Sequence, residues 1–335
     1  MKFKLTLEAN KSATTIHYQD KIMLMGSCFT ENIGAKLHRH LFQVKENPHG
    51  ILFNPTSVIG ALQDYIDNKQ YNTNDLFELN DLFNSWDHHT RFSDITASAT
   101  LEKINNSISD AHIYLKAADK LVITLGSAWL YCLTDVAPSG AGLVVANNHK
   151  APAQWFEKKL MEPVELSLQL QKIVSAVQSF NKNIHITFTI SPVRHLREGL
   201  IENNRSKSVL IYAVHDVIAN LKGVEYFPAY EYVIDDLRDY RFYAEDLVHP
   251  NYAATNYVWD KLVSTYFSED TQLIMAEVAE LQLAKQHKPF NKASNAHQAF
   301  LQKSLLKTEV LQSKYPFLPL ADFLTFFREE LINNA

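Results

Sequence analysis

Two short stretches of this chain carry side chains that could do covalent chemistry. The first is Ser27-Cys28, which follows the apolar run Ile22-Met23-Leu24-Met25 and Gly26. Four consecutive apolar residues suit a strand buried on both faces, and Gly26 suits a tight turn at its end. Thr30, Asn32, Ile33, Ala35, Leu37, Leu41 and Phe42 predict an amphipathic helix beyond the turn, with Glu31 acidic in its first turn. A thiol and a hydroxyl so placed lie between a strand's carboxyl end and a helix's positive end. Open α/β sheets collect ligands there, and a cysteine pKa is lowered there. The second stretch is Asp246-Leu247-Val248-His249. A carboxylate and an imidazole three residues apart on a helical turn share one face, so Asp246 can orient His249 and stabilise its protonated form. A nucleophile early in the chain and an Asp-His pair late in it together point to acyl transfer. In that chemistry His249 acts as base and then as acid.

The first stretch resembles the opening block Gly-Asp-Ser-x-Thr-Glu of the SGNH/GDSL hydrolase superfamily. It resembles more closely the Gly-Ser-Cys-Phe-Ala signature of the bacterial GSCFA family, with Thr30 in place of the Ala. The alignment of Gly26 and Thr30-Glu31 implies that Cys28 occupies the nucleophile's position and Ser27 that of the superfamily Asp. Ser27 stays the competing nucleophile, because a hydroxyl suits oxyester hydrolysis. The last block, Asp-x-x-His, matches Asp246 and His249.

Other stretches carry the resemblance further. Asn47-Pro48-His49-Gly50 through Asn54-Pro55 resembles the second block and implies that the Gly50 N–H donates to an oxyanion. Asn54 reads as the cap of a helix with Pro55 at its first position. Where the superfamily has Gly-x-Asn-Asp, this chain has Gly126-Ser127-Ala128-Trp129, so its oxyanion Asn is missing. Asn54, Asn147 or the Ser127 hydroxyl would replace it, or the hole has two donors. Asn147, His149 and Lys150 match the family and read as substrate contacts or as a solvated turn. Ser191-Pro192-Val193-Arg194-His195 matches as well, with Arg194 suited to clamp an oxygen and His195 to bind substrate. His88 and His89, in the aromatic stretch Ser85 to Ser93, read as a substrate-lining loop or a surface aromatic loop. Neighbours on an extended chain point opposite ways, which argues against a metal pair.

The positioning elements follow from periodicity. Apolar strands are expected at 22–25, 121–126, 142–145, 184–190 and 224–228, and helices at 98–118, 164–180 and from a cap at 203–208 to about 221. The run 230–243, rich in Tyr, Asp and Arg, reads as an ion-paired scaffold. Helices at 252–267, 271–286, 293–312 and 320–333 follow with no strand signal. Strands alternating with helices predict a three-layer α/β/α sandwich with a parallel sheet, and the resemblance implies a flavodoxin-like, SGNH-type order. The division expected is an SGNH-like domain over 1–268 and a C-terminal helical extension over 269–335, packed over the active edge or serving a homodimer.

Composition bounds the rest. The chain has 335 residues, 46% hydrophobic, with 32 basic and 37 acidic side chains for a formal net charge of -5. This balance, without charge runs, argues against nucleic acid or an anionic membrane as partner. No apolar run is long enough to span a bilayer and Met1 to Glu8 lacks a secretory pattern, so a cytoplasmic protein is expected. Two cysteines, Cys28 and Cys132, exclude a disulfide framework and a cysteine zinc site. No cofactor or metal is expected. The resemblance implies an esterase or deacylase acting on a small or carbohydrate-linked ester. The alternative is a catalytically silent carbohydrate- or metabolite-binding protein.

Overall fold

The computed structural model describes residues 5–8, 11–138 and 140–333. Its centre is a five-stranded parallel sheet. In chain order the strands are β1 (Lys21–Gly26), β2 (Gln43–Glu46), β5 (Lys120–Leu125), β8 (His185–Ile190) and β9 (Val224–Phe227). They lie side by side as β2-β1-β5-β8-β9, a flavodoxin-like order that reverses between β1 and β5. Two antiparallel hairpins stand outside the sheet, β3 (Phe77–Leu79) with β4 (Leu82–Asn84) and β6 (Trp129–Leu133) with β7 (Phe156–Leu160).

The strands alternate side chains between two cores, as a period of two requires. Met23, Met25, Leu121, Ile123, Leu125, Ile186, Phe188 and Ile190 face one core, with α2 (Pro55–Asp67), α3 (Ala97–Ala117), α4 (Pro163–Phe180) and α5 (Leu200–Asn220). Ile22, Leu24 and Val122 face the other. There they meet α1 (Cys28–Arg39), the single turn α6 (Ala229–Glu231) and α7 (Tyr252–Tyr266). The last helices, α8 (Glu269–Gln286), α9 (Asn295–Lys314) and α10 (Ala321–Asn333), add Met275, Val278, Leu301 and Phe327 to this same second core. The C-terminal helices therefore pack on the α1 face of the sheet. Of the two placements expected for them, that over the active edge does not occur.

Several local expectations change. Helix α5 begins at Leu200, so Asn203 to Ser208 lies inside it and caps nothing. Gly142 to Val145 makes an isolated bridge between Val144 and Cys132 instead of a strand. Strand β2, Gln43-Val44-Lys45-Glu46, was invisible to an apolar pattern because it is a polar edge strand.

Gly26 sets the turn that ends β1. Its φ is +129°, and an added Cβ would stand 2.0 Å from the Thr124 carbonyl oxygen on the neighbouring strand. The Asn47 side chain accepts the Gly26 N–H at 2.9 Å, and Gly26 in turn accepts the Leu52 N–H at 2.9 Å. Gly26→Ala combines backbone strain with a clash against rigid backbone. It is expected to cost roughly 2–4 kcal/mol, read as a lower urea midpoint at unchanged m.

Candidate active site

Cys28 is the first residue of α1, directly after β1 and at the point where the strand order reverses. Ser27 takes the cap position in extended backbone but makes no side-chain cap bond. The Cys28 side chain is half-buried and lines a cleft of about 520 Å³. Phe53, Asn54 and Ser127 share the cleft with it, Trp129 and Tyr131 enter from the β6–β7 hairpin, and Asn147 and Asn148 come from the segment between those strands. Val193 to Glu198, after β8, and Val248 with His249 complete the lining.

The His249 imidazole reaches this cleft on a turn that Leu247 closes in left-handed backbone, φ +57°. The Asp246-His249 pair therefore meets through a tight turn and not through the helical turn its spacing suggested. Asp246 Oδ2 lies 2.7 Å from His249 Nδ1, while Oδ1 accepts the N–H groups of Val248 at 2.9 Å and His249 at 3.0 Å. The His249 backbone N–H, then the His249 ring, then the Val248 N–H hold the Asp246 carboxyl down at about 2. An ionised carboxylate can only accept, so in the neutral imidazole Nδ1 carries the proton and Nε2 keeps its lone pair. Arg194 braces this loop. Its N–H donates to Val248 O at 3.2 Å, its guanidinium donates to Leu247 O at 3.3 Å, and the same guanidinium lies 4.0 Å from the Tyr243 ring centre.

The electrostatics of the thiol reverse the sequence expectation. Burial and the nearby Glu31 push the Cys28 pKa up, and they outweigh the N–H groups of Cys28 and Phe29 and the charge of Lys207. Cys28 therefore rests as a neutral thiol.

Lys207 is the residue sequence reasoning missed. It is 1% exposed, and its ammonium donates to Gly126 O at 2.7 Å and Ser191 O at 2.6 Å, at the carboxyl ends of β5 and β8. Burial lowers its pKa from 10.5 to about 7. A signal was present: Asn203, Ser206 and Lys207 continue the buried stripe of Leu210, Ala213, Val214 and Val217 along one helix face. The unfolded chain thus binds more protons at this lysine than the folded one between about pH 7 and 10, so folded stability gains over that window. Unfolding of wild type and Lys207→Met across it should show wild type gaining on the variant by up to about 1.4 kcal/mol per pH unit.

The model of the GSCFA family matches residues 21–262, and that of the GSCFA C-terminal domain matches residues 278–333. This chain belongs to the GSCFA family. Compared with curated proteins, it matches none.

The GSCFA chain brings only part of its expected site together. Cys28, Asn54, Ser127, Asn147, Arg194, His195 and His249 share the cleft. Ser27 does not: its side chain is fully buried and its Oγ finds no partner. Gly50 does not line the cleft either. Its N–H donates to Asn47 O at 2.7 Å, and an added Cβ would meet the His89 side chain at 2.1 Å, so it serves packing and not an oxyanion. His88 is buried, stacked on His49 with ring centres 4.2 Å apart and bonded to Ser85 Oγ at 2.9 Å. His89 caps a short turn through Arg91. His149 contacts Ser85 O at 2.8 Å and packs against Phe77 and Trp86, and burial lowers it to about 4. None of these three histidines lines the cleft. Among the described residues no group of three metal-ligating side chains stands together.

The remaining cleft residues divide by what they already hold. Asn54 caps α2 by accepting the Ser57 N–H at 2.8 Å and donates one amide hydrogen to Val145 O at 3.2 Å, leaving the other. The Ser127 hydroxyl accepts the Trp129 N–H at 3.2 Å and lies 3.2 Å from Ser206 Oγ. His195 Nε2 is buried without a partner among the described residues, and burial together with Lys207 holds its pKa at about 4, so it is neutral. No helix among the described residues is long and apolar enough to cross a membrane.

Proposed function

We propose that this chain is an SGNH-type acyl-transfer enzyme that hydrolyses an ester on a small or carbohydrate-linked substrate. One observation carries the reading: Cys28 and a carboxylate-steadied His249, from opposite ends of the family-matched region, line one cleft at the switch point of the sheet. His249 Nε2 takes the Cys28 proton as the sulfur bonds to the acyl carbon. Asp246 accepts the Nδ1–H and stabilises the imidazolium. The imidazolium then protonates the departing alkoxide; a water deprotonated by the same nitrogen attacks the thioester carbon, and the C–S bond breaks to release the acid as the imidazolium returns its proton to the sulfur. The carbonyl oxygen, negative in the tetrahedral state, is met by N–H groups of the α1 first turn and by the spare amide hydrogen of Asn54.

The substrate class rests on the cleft walls. Phe53, Trp129 and Tyr131 offer flat apolar faces, and Asn147, Asn148 and Arg194 offer hydrogen bonds, a combination suited to a sugar ring bearing an acyl group. Incubation with p-nitrophenyl acetate and a panel of O-acetylated sugars tests the reading, with turnover expected on both. The second reading, a silent sugar-binding protein, is favoured by the raised Cys28 thiol and the engaged Gly50 N–H. Saturable sugar binding without turnover, and without labelling of Cys28 by a thiol-specific acylating probe, would establish it instead.

A further inference from the structure

Histidines aside, the ionisable side chains that line the cleft with Cys28 and Tyr131 are Arg194, Arg197 and Glu198. Glu198 is already engaged: Lys158 Nζ lies 2.7 Å from its Oε1, and the Tyr131 hydroxyl donates to the same oxygen at 2.9 Å. Lys158 itself stands on β7, outside the lining. Neither arginine has a carboxylate within ion-pair distance among the described residues. Two guanidinium charges therefore face the cleft without a paired side chain, in a chain whose net charge is -5.

The two arginines are held differently. Arg194 donates one side-chain N–H to Leu247 O at 3.3 Å and lies 4.0 Å and 4.7 Å from the ring centres of Tyr243 and Tyr240, which leaves its other side-chain N–H donors for a ligand. A guanidinium fixed in this way loses little conformational freedom on binding. Its backbone N–H also bonds Val248 O, the residue before His249, so Arg194 keeps a set offset from the reacting imidazole. Arg197 is exposed, with its guanidinium 5.5 Å from the Tyr131 ring centre.

We infer that the substrate is an anion: the acylated molecule carries a carboxylate or a phosphate that Arg194 and Arg197 receive while its ester reaches Cys28. The inference deepens the acyl-transfer reading and rests on the same cleft. A guanidinium meets either group with paired, charge-assisted N–H donors, and a neutral sugar gives it no charge to meet. Two carboxylates bear on the cleft from outside its lining. Asp246 is held by His249 and two backbone N–H groups, and Glu31 acts on the Cys28 thiol from the same helical turn. Glu31 opposes further negative charge beside Cys28, so the uncharged ester belongs there and the anionic group with the arginines.

Esters of one sugar skeleton test it: acetyl glucose, acetyl glucuronate, acetyl glucose phosphate and succinyl glucose. They carry, in that order, no charge, a carboxylate on the sugar, a phosphate on the sugar and a carboxylate on the acyl group. For at least one charged ester kcat/KM should exceed that of acetyl glucose by about tenfold or more, chiefly through KM, and added salt should shrink the ratio. Arg197→Ala should cut the ratio by about three- to tenfold, and Arg197→Lys by less. Arg194 stays in place in this test because it braces the His249 loop. If no ester is turned over, calorimetry with glucose, glucuronate, glucose phosphate and succinate reads the same preference without the reaction. An anion bound at least about tenfold more tightly than glucose, with the difference reduced in Arg197→Ala, would retain the anionic ligand and reject the hydrolase. Turnover of all four esters at equal kcat/KM would retain the hydrolase and overturn the inference. A charge preference untouched by Arg197→Ala, or calorimetry showing no anion bound more tightly than glucose, would overturn it as well.

Discussion

Cys28→Ala is expected to reduce turnover of p-nitrophenyl acetate by about 10³-fold or more, to the level of the cleft's residual binding effects. The loss comes from chemistry and not from folding. The side chain is half-buried at the first position of α1, where alanine is tolerated, and the turn before it is held by Gly26, Asn47 and Thr124 backbone. The melting temperature should therefore stay within a few degrees of wild type. Ser27→Ala makes the informative control. Its hydroxyl is sealed and unpartnered, so its removal should leave turnover within about twofold, whereas a Ser27 nucleophile would make this the silencing substitution.

His249→Ala and Asp246→Asn form the second large effect, and they differ in kind. Without His249 the cleft is left with His195, a weak base held at about 4 by burial and by Lys207, and with Glu198, which is already paired with Lys158 and Tyr131. Asp246→Asn keeps the shape of the turn but replaces an acceptor by an amide that can donate to Nδ1. The ring then favours the tautomer with its proton on Nε2, which is no base, and turnover should fall by about 10²–10⁴. The pH dependence follows in sign. The Asp246 carboxyl lies below its ordinary value of 3.8, at about 2, so its contact with His249 is complete above about pH 4 and is lost as pH falls through about 2. Any acid limb of kcat/KM above pH 4 in wild type thus belongs to another group. Profiles of wild type and Asp246→Asn should differ in height over the neutral range.

Much of this arrangement was legible in the amino-acid order, and the parts that were not share a physical cause. Strands β1, β5 and β8 announce themselves because burial on both faces demands unbroken apolar runs or β-branched alternation. The Cys28 turn and the Asp246-His249 pair are local, three or four residues long, and their types survive in any reading. The state of a group was harder to read, because it depends on what distant segments place beside it. Helix position suggested a lowered Cys28 thiol, but desolvation by packing raises it, and Glu31 of the same helical turn adds to the rise. Gly50 matched a motif, yet its N–H is taken by Asn47, three residues before it. The histidines at 88, 89 and 149 looked chemical by type, but ring packing against His49, Phe77 and Trp86 occupies His88 and His149, and a turn cap occupies His89. Lys207 fell within a stretch read as a helix cap, and its burial depends on the backbone carbonyls after β5 and β8 that it reaches.

The central claim, that the sulfur of Cys28 attacks with help from His249, is tested most directly by trapping the acyl-enzyme. Wild-type protein mixed briefly with an activated acetyl ester and quenched in acid should carry one acetyl group, and peptide mass spectrometry should place it on Cys28. The adduct should be absent in Cys28→Ala and should form at least about 10²-fold more slowly in His249→Ala. An acetyl group on Ser27, or turnover that proceeds undiminished in Cys28→Ala, would contradict the account.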